Sequence, residues 1–156
     1  MDRRSFGLAL ATAPAAAVPV LAAAAPGPEP DGSPESNKKV VLDFYEKALN
    51  EKDFDAAAHH FGDRYIQHNP TAPDGIDGFR KFIAFRKERM PHARGEIKRV
   101  FADGDFVILH VHSKRDPADR GVAIVDIFRL AAGKIVEHWD VIQPIPETAA
   151  NSNGMF

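Results

Sequence analysis

Apolar residues recur every three or four positions between residues 33 and 90, the spacing that places them on one face of a helix. Ser33-Pro34-Glu35 combines a capping side chain, a first-turn proline and an acid, and predicts the start of a first helix. Asp53 is expected to cap a second, shorter helix, and a third helix is expected to stop before Pro91. The apolar residues that mark these helices are Val40, Val41, Phe44, Tyr45, Ala48, Leu49, Phe54, Ala57, Ala58, Phe61, Phe79, Phe82, Ile83 and Phe85.

The spacing changes to two in the second half of the chain, which indicates strands. Asp103-Gly104 is the expected turn of a first hairpin, and Pro144 and Pro146 end the regular structure. A short extended segment, residues 65–70, precedes the third helix and ends at a proline. The four predicted strands are residues 96–102, 106–113, 122–130 and 134–142. Helices followed by an antiparallel meander predict an α+β fold.

The turn of the last hairpin predicts which side chains share a face. Ala131-Ala132-Gly133 suits a three-residue loop in which the glycine takes the left-handed conformation of a bulge. This register places Asp126 opposite His138 and Ile124 opposite Asp140, and directly opposed residues lie on the same face. The predicted inner face carries Ile124, Asp126, Phe128, Val136, His138, Asp140 and Ile142. The predicted outer face carries Val125, Ile127, Arg129, Ile135, Glu137, Trp139 and Val141.

The inner face combines two carboxylates and an imidazole within an apolar row. Burial and a neighbouring like charge both raise the pKa of a carboxyl group, which suits a carboxyl to acid or base work near neutral pH. Asp140, Asp126 and His138 are therefore the candidate catalytic residues. The alternative is that Asp126 and His138 only stabilise the hairpin as a cross-strand pair.

The outer face is also largely apolar, so it is not expected to be fully exposed to water. An apolar sheet face of this size usually marks an interface. We therefore expect a homodimer formed through one face of the sheet, with Trp139 in a core or interface position.

His110 and His112 alternate along the second strand and are candidates for contact with the substrate. The alternative is that they are polar residues at a sheet edge. His-x-His is also a metal-binding spacing, as in cupins, and Asp126 or Asp140 could complete such a site. The three preceding helices argue against a cupin, so neither a metal nor a nucleotide cofactor is expected.

The overall charge and composition exclude several classes of function. The net charge is −2, with acidic and basic residues mixed, so no basic stripe for nucleic acid and no charged run for a membrane surface is present. The absence of cysteine excludes disulfides, thiolate metal sites and cysteine nucleophiles.

The first 25 residues resemble a secretory signal peptide, with a basic start, a short apolar run and small residues at its end. Arg3-Arg4-Ser5-Phe6 resembles the twin-arginine signal, and the run is too short for a membrane span. The alternative is a disordered leader on a cytoplasmic protein. We expect a signal peptide over 1–25, a disordered linker over 26–36 and one domain over 37–156, in a periplasmic or secreted protein without stable membrane association after cleavage.

Several separate segments resemble the SnoaL-like polyketide cyclase family of the NTF2-like (cystatin-like) superfamily. The matching segments are Tyr65-Ile66-Gln67-His68-Asn69-Pro70, Asp126-Ile127-Phe128-Arg129, Gly133 to Val141 and Asn151 to Phe156. The resemblance covers nearly all of the predicted domain and implies a cone in which a curved antiparallel sheet wraps the helices around a pocket. The superfamily contains cyclases, isomerases, dehydratases and non-catalytic binding modules.

In the cyclases the resemblance implies a cofactor-free aldol closure of a small hydrophobic carbonyl compound. The aspartate of the acid/base pair falls on Asp140, and the histidine position falls on Asp126, for which His138 can substitute. Aldol cyclisation and proton-shift isomerisation both remain open, as does a non-catalytic module that binds a small molecule or supports a dimer. The candidate substrate-binding residues are Tyr65, His68, Asn69, His110, His112 and Phe128.

Overall fold

The computed structural model describes residues 31–156 of the 156-residue chain. The expected signal peptide and residues 26–30 of the expected linker lie outside the described residues, so export of the chain stays a prediction. Within the described part, no helix has the length and apolar character that a membrane span requires.

The helices begin where the sequence predicts caps. Helix α1 spans Pro34–Tyr45, and the Ser33 hydroxyl accepts a hydrogen bond from the N–H of Ser36 at 3.2 Å. A π-helical turn, Glu46–Asn50, extends it. Both features confirm the predicted first helix.

Two further helices complete this layer. Helix α2 is short, Phe54–Ala57, and the Asp53 carboxylate caps it by accepting from the N–H of Ala56 at 2.9 Å. A 3-10 turn, Ala58–His60, follows it, and helix α3 spans Gly75–Arg89. Phe61, predicted to lie in the second helix, instead begins the first strand because the backbone becomes extended there.

Five strands form one sheet with the order β1-β5-β4-β3-β2. Strand β1 runs parallel to β5, and the remaining neighbours are antiparallel. The strands are β1 Phe61–Gln67, β2 Arg94–Asp103, β3 Phe106–Lys114, β4 Val122–Ala131 and β5 Lys134–Pro144. The α+β prediction is confirmed, and the short extended segment proves to be an edge strand of the sheet.

The last hairpin differs from the predicted register. Its loop has two residues, Ala132 and Gly133, because both take positive φ angles, 49° and 70°, as a type I′ turn requires. Val136 forms a bulge between the pairs Arg129–Glu137 and Leu130–Ile135.

The corrected register pairs Asp126 with Asp140 and Phe128 with His138. The shift is two residues along most of the hairpin, so these four side chains keep the face that the sequence predicted. Ile135 is the exception, because the bulge moves it from the outer face to the buried side, where it is fully enclosed.

The helices pack against one face of the sheet around Phe44 of α1. Its ring centroid lies 5.1 Å from that of Phe61, 5.4 Å from Phe79 and 5.9 Å from Phe128. Alternate residues of β3, Val107, Leu109 and Val111, complete this core. The core therefore holds the helices over the face that carries the candidate catalytic residues.

Candidate active site

A cavity of about 360 Å³ lies between the helices and the inner face of the sheet. Most of its wall is apolar and aromatic, formed by Phe44, Tyr45, Leu49, Tyr65, Phe79, Phe82, Met90, Val122, Ile124, Phe128 and Ile142. The polar side chains that line it include Gln67, Asn69, Arg86, Asp126, His138 and Asp140. A mainly apolar cavity with a few polar groups is the usual form of a small-molecule site.

The three candidate catalytic residues form one cluster in this cavity. Asp126 on β4 lies directly opposite Asp140 on β5, and His138 lies one pleat away on the same face. One ligand atom from each residue lies within 4.8 Å of the others. Asp126 and His138 are buried, whereas Asp140 is half-buried. The sheet therefore places two carboxyl groups and one imidazole where one small molecule can contact them.

The backbone at the end of β1 fixes the side-chain amide of Gln67. Oε1 of Gln67 accepts from the N–H of Asn69 at 2.9 Å, and a backbone N–H can only donate. Nε2 of Gln67 therefore points the other way and donates to the Tyr65 hydroxyl at 3.0 Å. The orientation of this amide follows from its partners and needs no further assumption.

This orientation determines where His138 carries a proton. Nδ1 of His138 lies 3.0 Å from Oε1 of Gln67, which has only lone pairs to offer, so Nδ1 carries the hydrogen. In the neutral imidazole the other nitrogen, Nε2, is then an acceptor. Nε2 lies 3.0 Å from Oδ1 of Asp126, so one proton must lie between the two.

Burial decides which partner holds that proton. The complete burial of Asp126 raises the pKa of its carboxyl, and the hydrogen bond from His138 opposes this effect without cancelling it. The raised pKa favours the neutral pair, in which Asp126 carries the proton and donates from Oδ1 to Nε2 of His138. Its other oxygen, Oδ2, is buried without a hydrogen-bond partner among residues 31–156.

Asp140 has a different environment. Oδ1 of Asn69 accepts from both the N–H and the hydroxyl of Thr71, at 2.8 Å and 2.7 Å, which fixes the Asn69 amide. Nδ2 of Asn69 then donates to Oδ2 of Asp140 at 2.7 Å. This carboxylate is half-exposed to the cavity and is held by a neutral donor. The two opposed carboxyl groups thus have separate settings: Asp126 is buried against His138, and Asp140 is half-buried and held by Asn69.

Tyr65 is the remaining polar group in the cluster. Burial, together with the nearby carboxyl groups of Asp126 and Asp140, raises the pKa of its phenol well above the usual value. The phenol therefore keeps its proton, and its oxygen already accepts from Gln67. Its O–H remains available as a donor to a molecule in the cavity.

The structure separates the other sequence candidates from this cluster. Phe128 lines the cavity, with its ring 4.7 Å from the ring of His138. His68 instead stacks on Trp139, with 4.6 Å between ring centroids, and bonds to Glu137 at 2.9 Å on the outer side. Successive side chains of an extended segment point to opposite sides, and Gln67 and Asn69 line the cavity. His68, which lies between them, therefore points away from it.

His110 and His112 also lie on the outer face. His110 pairs with Val125, and His112 pairs with Ala123. Asp126 instead pairs with the buried Leu109, which lies on the opposite face of β3. Phe156 stacks on both imidazoles, at 5.2 Å and 4.6 Å. His110 and His112 therefore do not line the cavity that contains Asp126.

This placement also excludes the metal site that the sequence suggested, in which Asp126 or Asp140 would join His110 and His112. His110 and His112 cannot share a ligand sphere with Asp126 or Asp140, because the sheet lies between them. Two other groups have ligand spacing within residues 31–156: the catalytic cluster, and Asp43 with His59 and His60. In the second group Lys47 already pairs with Oδ2 of Asp43. Its ammonium group supplies the positive charge that a metal ion would bring to this carboxylate.

Gln67, Thr71 and Arg86 are among the cavity residues that the sequence analysis did not name as candidates. The period of two from Tyr65 already places Gln67 and Asn69 on one side of β1 and His68 on the other. Arg86 follows Phe82 by four residues, so helical spacing places both on the same face of α3. Thr71 had no sequence signal, because its role depends on the turn after Pro70.

Comparison with known families identifies the domain. Residues 41–138 match the family model of the SnoaL-like domain. The chain belongs to the SnoaL-like domain family. The match begins in α1 and ends at His138, so it contains Asp126 and His138, while Asp140 lies two residues beyond it. A search of curated proteins gives no match.

Solved structures similar to this SnoaL-like chain show the same fold. AclR from Streptomyces galilaeus, a proposed hydroxylase, is 22% identical with a TM-score of 0.60, covering 73% of this chain and 83% of its own. A proposed polyketide cyclase from Acidithiobacillus ferrooxidans is 18% identical with a TM-score of 0.57, covering 68% and 87%. An NTF2-like protein of unknown function from Cytophaga hutchinsonii is 20% identical, with a TM-score of 0.57 and coverage of 69% and 90%. The predicted NTF2-like fold is confirmed.

Proposed function

We propose that the cavity is the active site of a cofactor-free enzyme that moves protons on a small carbonyl compound. One observation carries the proposal: Asp126 and Asp140 face each other across β4 and β5 but have different settings. Asp126 is a buried acid paired with His138, and Asp140 is a carboxylate held by Asn69. Paired carboxyl groups whose environments separate their pKa values are the usual basis for assigning an acid and a base.

Each residue has a defined role in this proposal. Asp140 removes a proton from the carbon next to the carbonyl group, and the electron pair of that C–H bond moves onto the carbonyl oxygen as an enolate forms. The Tyr65 O–H donates a hydrogen bond to that oxygen. Asp126 and His138 hold one further proton beside the reacting atoms.

The enolate can then react in either of two ways. In an isomerisation, the proton on Asp140 returns to a different carbon of the same molecule. In an aldol cyclisation, the enolate carbon attacks a second carbonyl carbon, and the resulting alkoxide takes a proton from the acid. Both routes need one base and one donor to the enolate oxygen, so the same cluster serves either reaction.

The second candidate is a non-catalytic module that binds a small hydrophobic molecule. The aromatic lining of the cavity favours it, since six aromatic side chains would enclose such a ligand without any proton transfer. The Asp126–His138 pair would then only stabilise the hairpin.

Proton NMR in heavy water separates the two candidates. The purified protein is mixed with 1,3-dicarbonyls and cyclic ketones such as 2-tetralone, and binding is followed by line broadening of the same ligands. An enzyme accelerates exchange of the protons next to the carbonyl group above the buffer rate. Binding of several members of the panel without any acceleration would support the binding module instead.

We also propose that the chain forms a homodimer through the outer face of the sheet. Four apolar side chains of this face are substantially exposed, from 37% to 67%: Phe101, Phe106, Val125 and Val141. The face continues through Ile127 and Trp139, which are half-buried. A second copy of the same face would cover these residues without requiring another partner.

A further inference from the structure

Arg86 is a cation of the cavity that the proposed proton transfers do not use. It projects from α3, and its guanidinium group lies 5.6 Å from the Phe82 ring and lines the same cavity as Asp126. The Nε atom is buried and has no hydrogen-bond partner among residues 31–156. An arginine in this setting has lost part of its hydration without gaining a protein partner in exchange.

No carboxylate of the described chain compensates this charge. None of the ion pairs formed within residues 31–156 includes Arg86. Burial lowers the pKa of its guanidinium, and the nearby Tyr45 and Asp126 only partly oppose this effect. Asp126 is the carboxyl that opposes the shift, but its Oδ1 already bonds to His138.

Three cations and three acids line the cavity. The cations are Arg86, Lys114 and Arg115, and the acids are Asp119, Asp126 and Asp140. Asp119 is already used by the backbone, since it accepts from the N–H groups of Arg115 and Gly121 at 3.0 Å each. Two of the three acids are therefore already held, Asp119 by the loop and Asp126 by His138, whereas Arg86 forms no ion pair within residues 31–156.

We propose that Arg86 binds a carboxylate group of the substrate, so that the preferred substrate class is a hydrophobic keto acid. The planar guanidinium can donate two parallel N–H bonds to a carboxylate, which fixes the orientation of the ligand as well as its charge. The aromatic wall holds the apolar body of the same molecule. This inference rests on the proposed function, because it names the substrate of the same cavity.

The test compares an acid with its neutral ester. The probes are 5-oxo-5-phenylpentanoate and its methyl ester. Isothermal titration calorimetry gives the affinity of the protein for each. The wild type is expected to bind the acid roughly tenfold to a hundredfold more tightly than the ester, the range of a charge-assisted bidentate contact. The Arg86→Met variant should lose this preference while keeping its affinity for the ester.

Two further variants control for folding and for general charge. Arg86→Lys keeps the charge but not the planar fork, so it should retain only part of the preference for the acid. Arg89→Met removes a cation from the same helix at an exposed position, 67% accessible, and should leave the preference unchanged. Equal affinity for acid and ester in the wild type, no binding of either, or an equal loss in Arg89→Met would overturn the inference.

The outcome is distinguishable from failure of the proposed function. If the acid binds through Arg86 but the protein does not accelerate proton exchange on it, the carboxylate site stands and the enzymatic proposal fails. If neutral ketones exchange rapidly and the acid binds no better than its ester, the enzymatic proposal stands and Arg86 has no such role.

Discussion

The side-chain oxygen of Gln67 lies 3.0 Å from Nδ1 of His138, and the backbone N–H of Asn69 prevents the Gln67 amide from turning over. This one relationship fixes the tautomer of His138. It therefore also fixes the position of the proton that His138 shares with Asp126, which lies 3.0 Å from Nε2. The acid/base character of the site thus depends on a residue of the edge strand that does not itself need to react.

The first prediction concerns that tautomer. Long-range nitrogen–proton NMR should show Nδ1 of His138 protonated in the wild type near neutral pH. In Gln67→Leu the acceptor is removed, so Nε2 should gain the hydrogen in an appreciable fraction of molecules. His110, on the outer face, serves as the internal control because the substitution does not reach it. A wild-type spectrum with hydrogen on Nε2 alone would contradict the hydrogen-bond assignment.

The second prediction concerns stability and pH. Burial raises the pKa of Asp126 above the 3.8 of an ordinary aspartate, so the folded state keeps a proton that the unfolded chain releases. The stabilising effect is complete below that ordinary value and is lost as the pH rises through the folded-state pKa. As the pH rises, the free energy of unfolding of the wild type should therefore fall relative to that of Asp126→Asn, by at most about 1.4 kcal/mol per pH unit.

Urea unfolding between about pH 4.5 and pH 8 measures this difference. Asp63→Asn, a change at an exposed position of β1, should show no such dependence relative to the wild type. A difference between wild type and Asp126→Asn that stays constant or grows in favour of the wild type with rising pH would show that Asp126 is ionised in the folded protein.

The third prediction separates the two tyrosines. The Tyr65 oxygen accepts from Gln67, so its O–H points elsewhere and can bond to an enolate oxygen, whereas no hydrogen bond within residues 31–156 orients the Tyr45 hydroxyl. Tyr65→Phe should lower the exchange rate roughly a hundredfold, the usual effect of removing one oxyanion donor. Tyr45→Phe should change it far less. Equal losses in the two variants would mean that the hydroxyl groups act only on the packing of the cavity.

The sequence predicted the inner face of the last hairpin correctly although its register was wrong. Beyond the bulge the shift is two residues and leaves the side chains on their predicted face, so Asp126, His138 and Asp140 are expected together and lie together. The bulge at Val136 has no local sequence signal, because it depends on how Leu130 and Ile135 pack in the core. Ile135 was misplaced for that reason.

The contribution of β1 could not be predicted from local patterns alone. Its parallel pairing with β5 joins residues about 70 positions apart, and only this pairing brings Gln67 to His138. The period of two did contain the information that His68 and Gln67 point in opposite directions. His110 and His112 were uncertain because the polar loop after β3 gives no register, and the structure places them outside.

The fourth prediction concerns the outer face. Light scattering of the purified protein at micromolar concentration should give twice the monomer mass. Val141, 67% exposed in the single chain, would be covered in the dimer, so Val141→Asp should shift the protein to monomer. Phe85→Asp alters a similarly exposed apolar residue, 52% accessible, on α3 and should leave the mass unchanged. A wild-type monomer would rule out this dimer at that concentration.

The most direct test of the account is the rate of proton exchange with Asp140→Asn. The variant keeps the shape of the side chain and a contact with Asn69 but removes the base. With the same ketones in heavy water, the account predicts that the wild type accelerates exchange next to the carbonyl group and that Asp140→Asn loses a factor of roughly 10² to 10⁴ while still binding the ligand. Exchange at the wild-type rate in Asp140→Asn would contradict the assignment of Asp140 as the base.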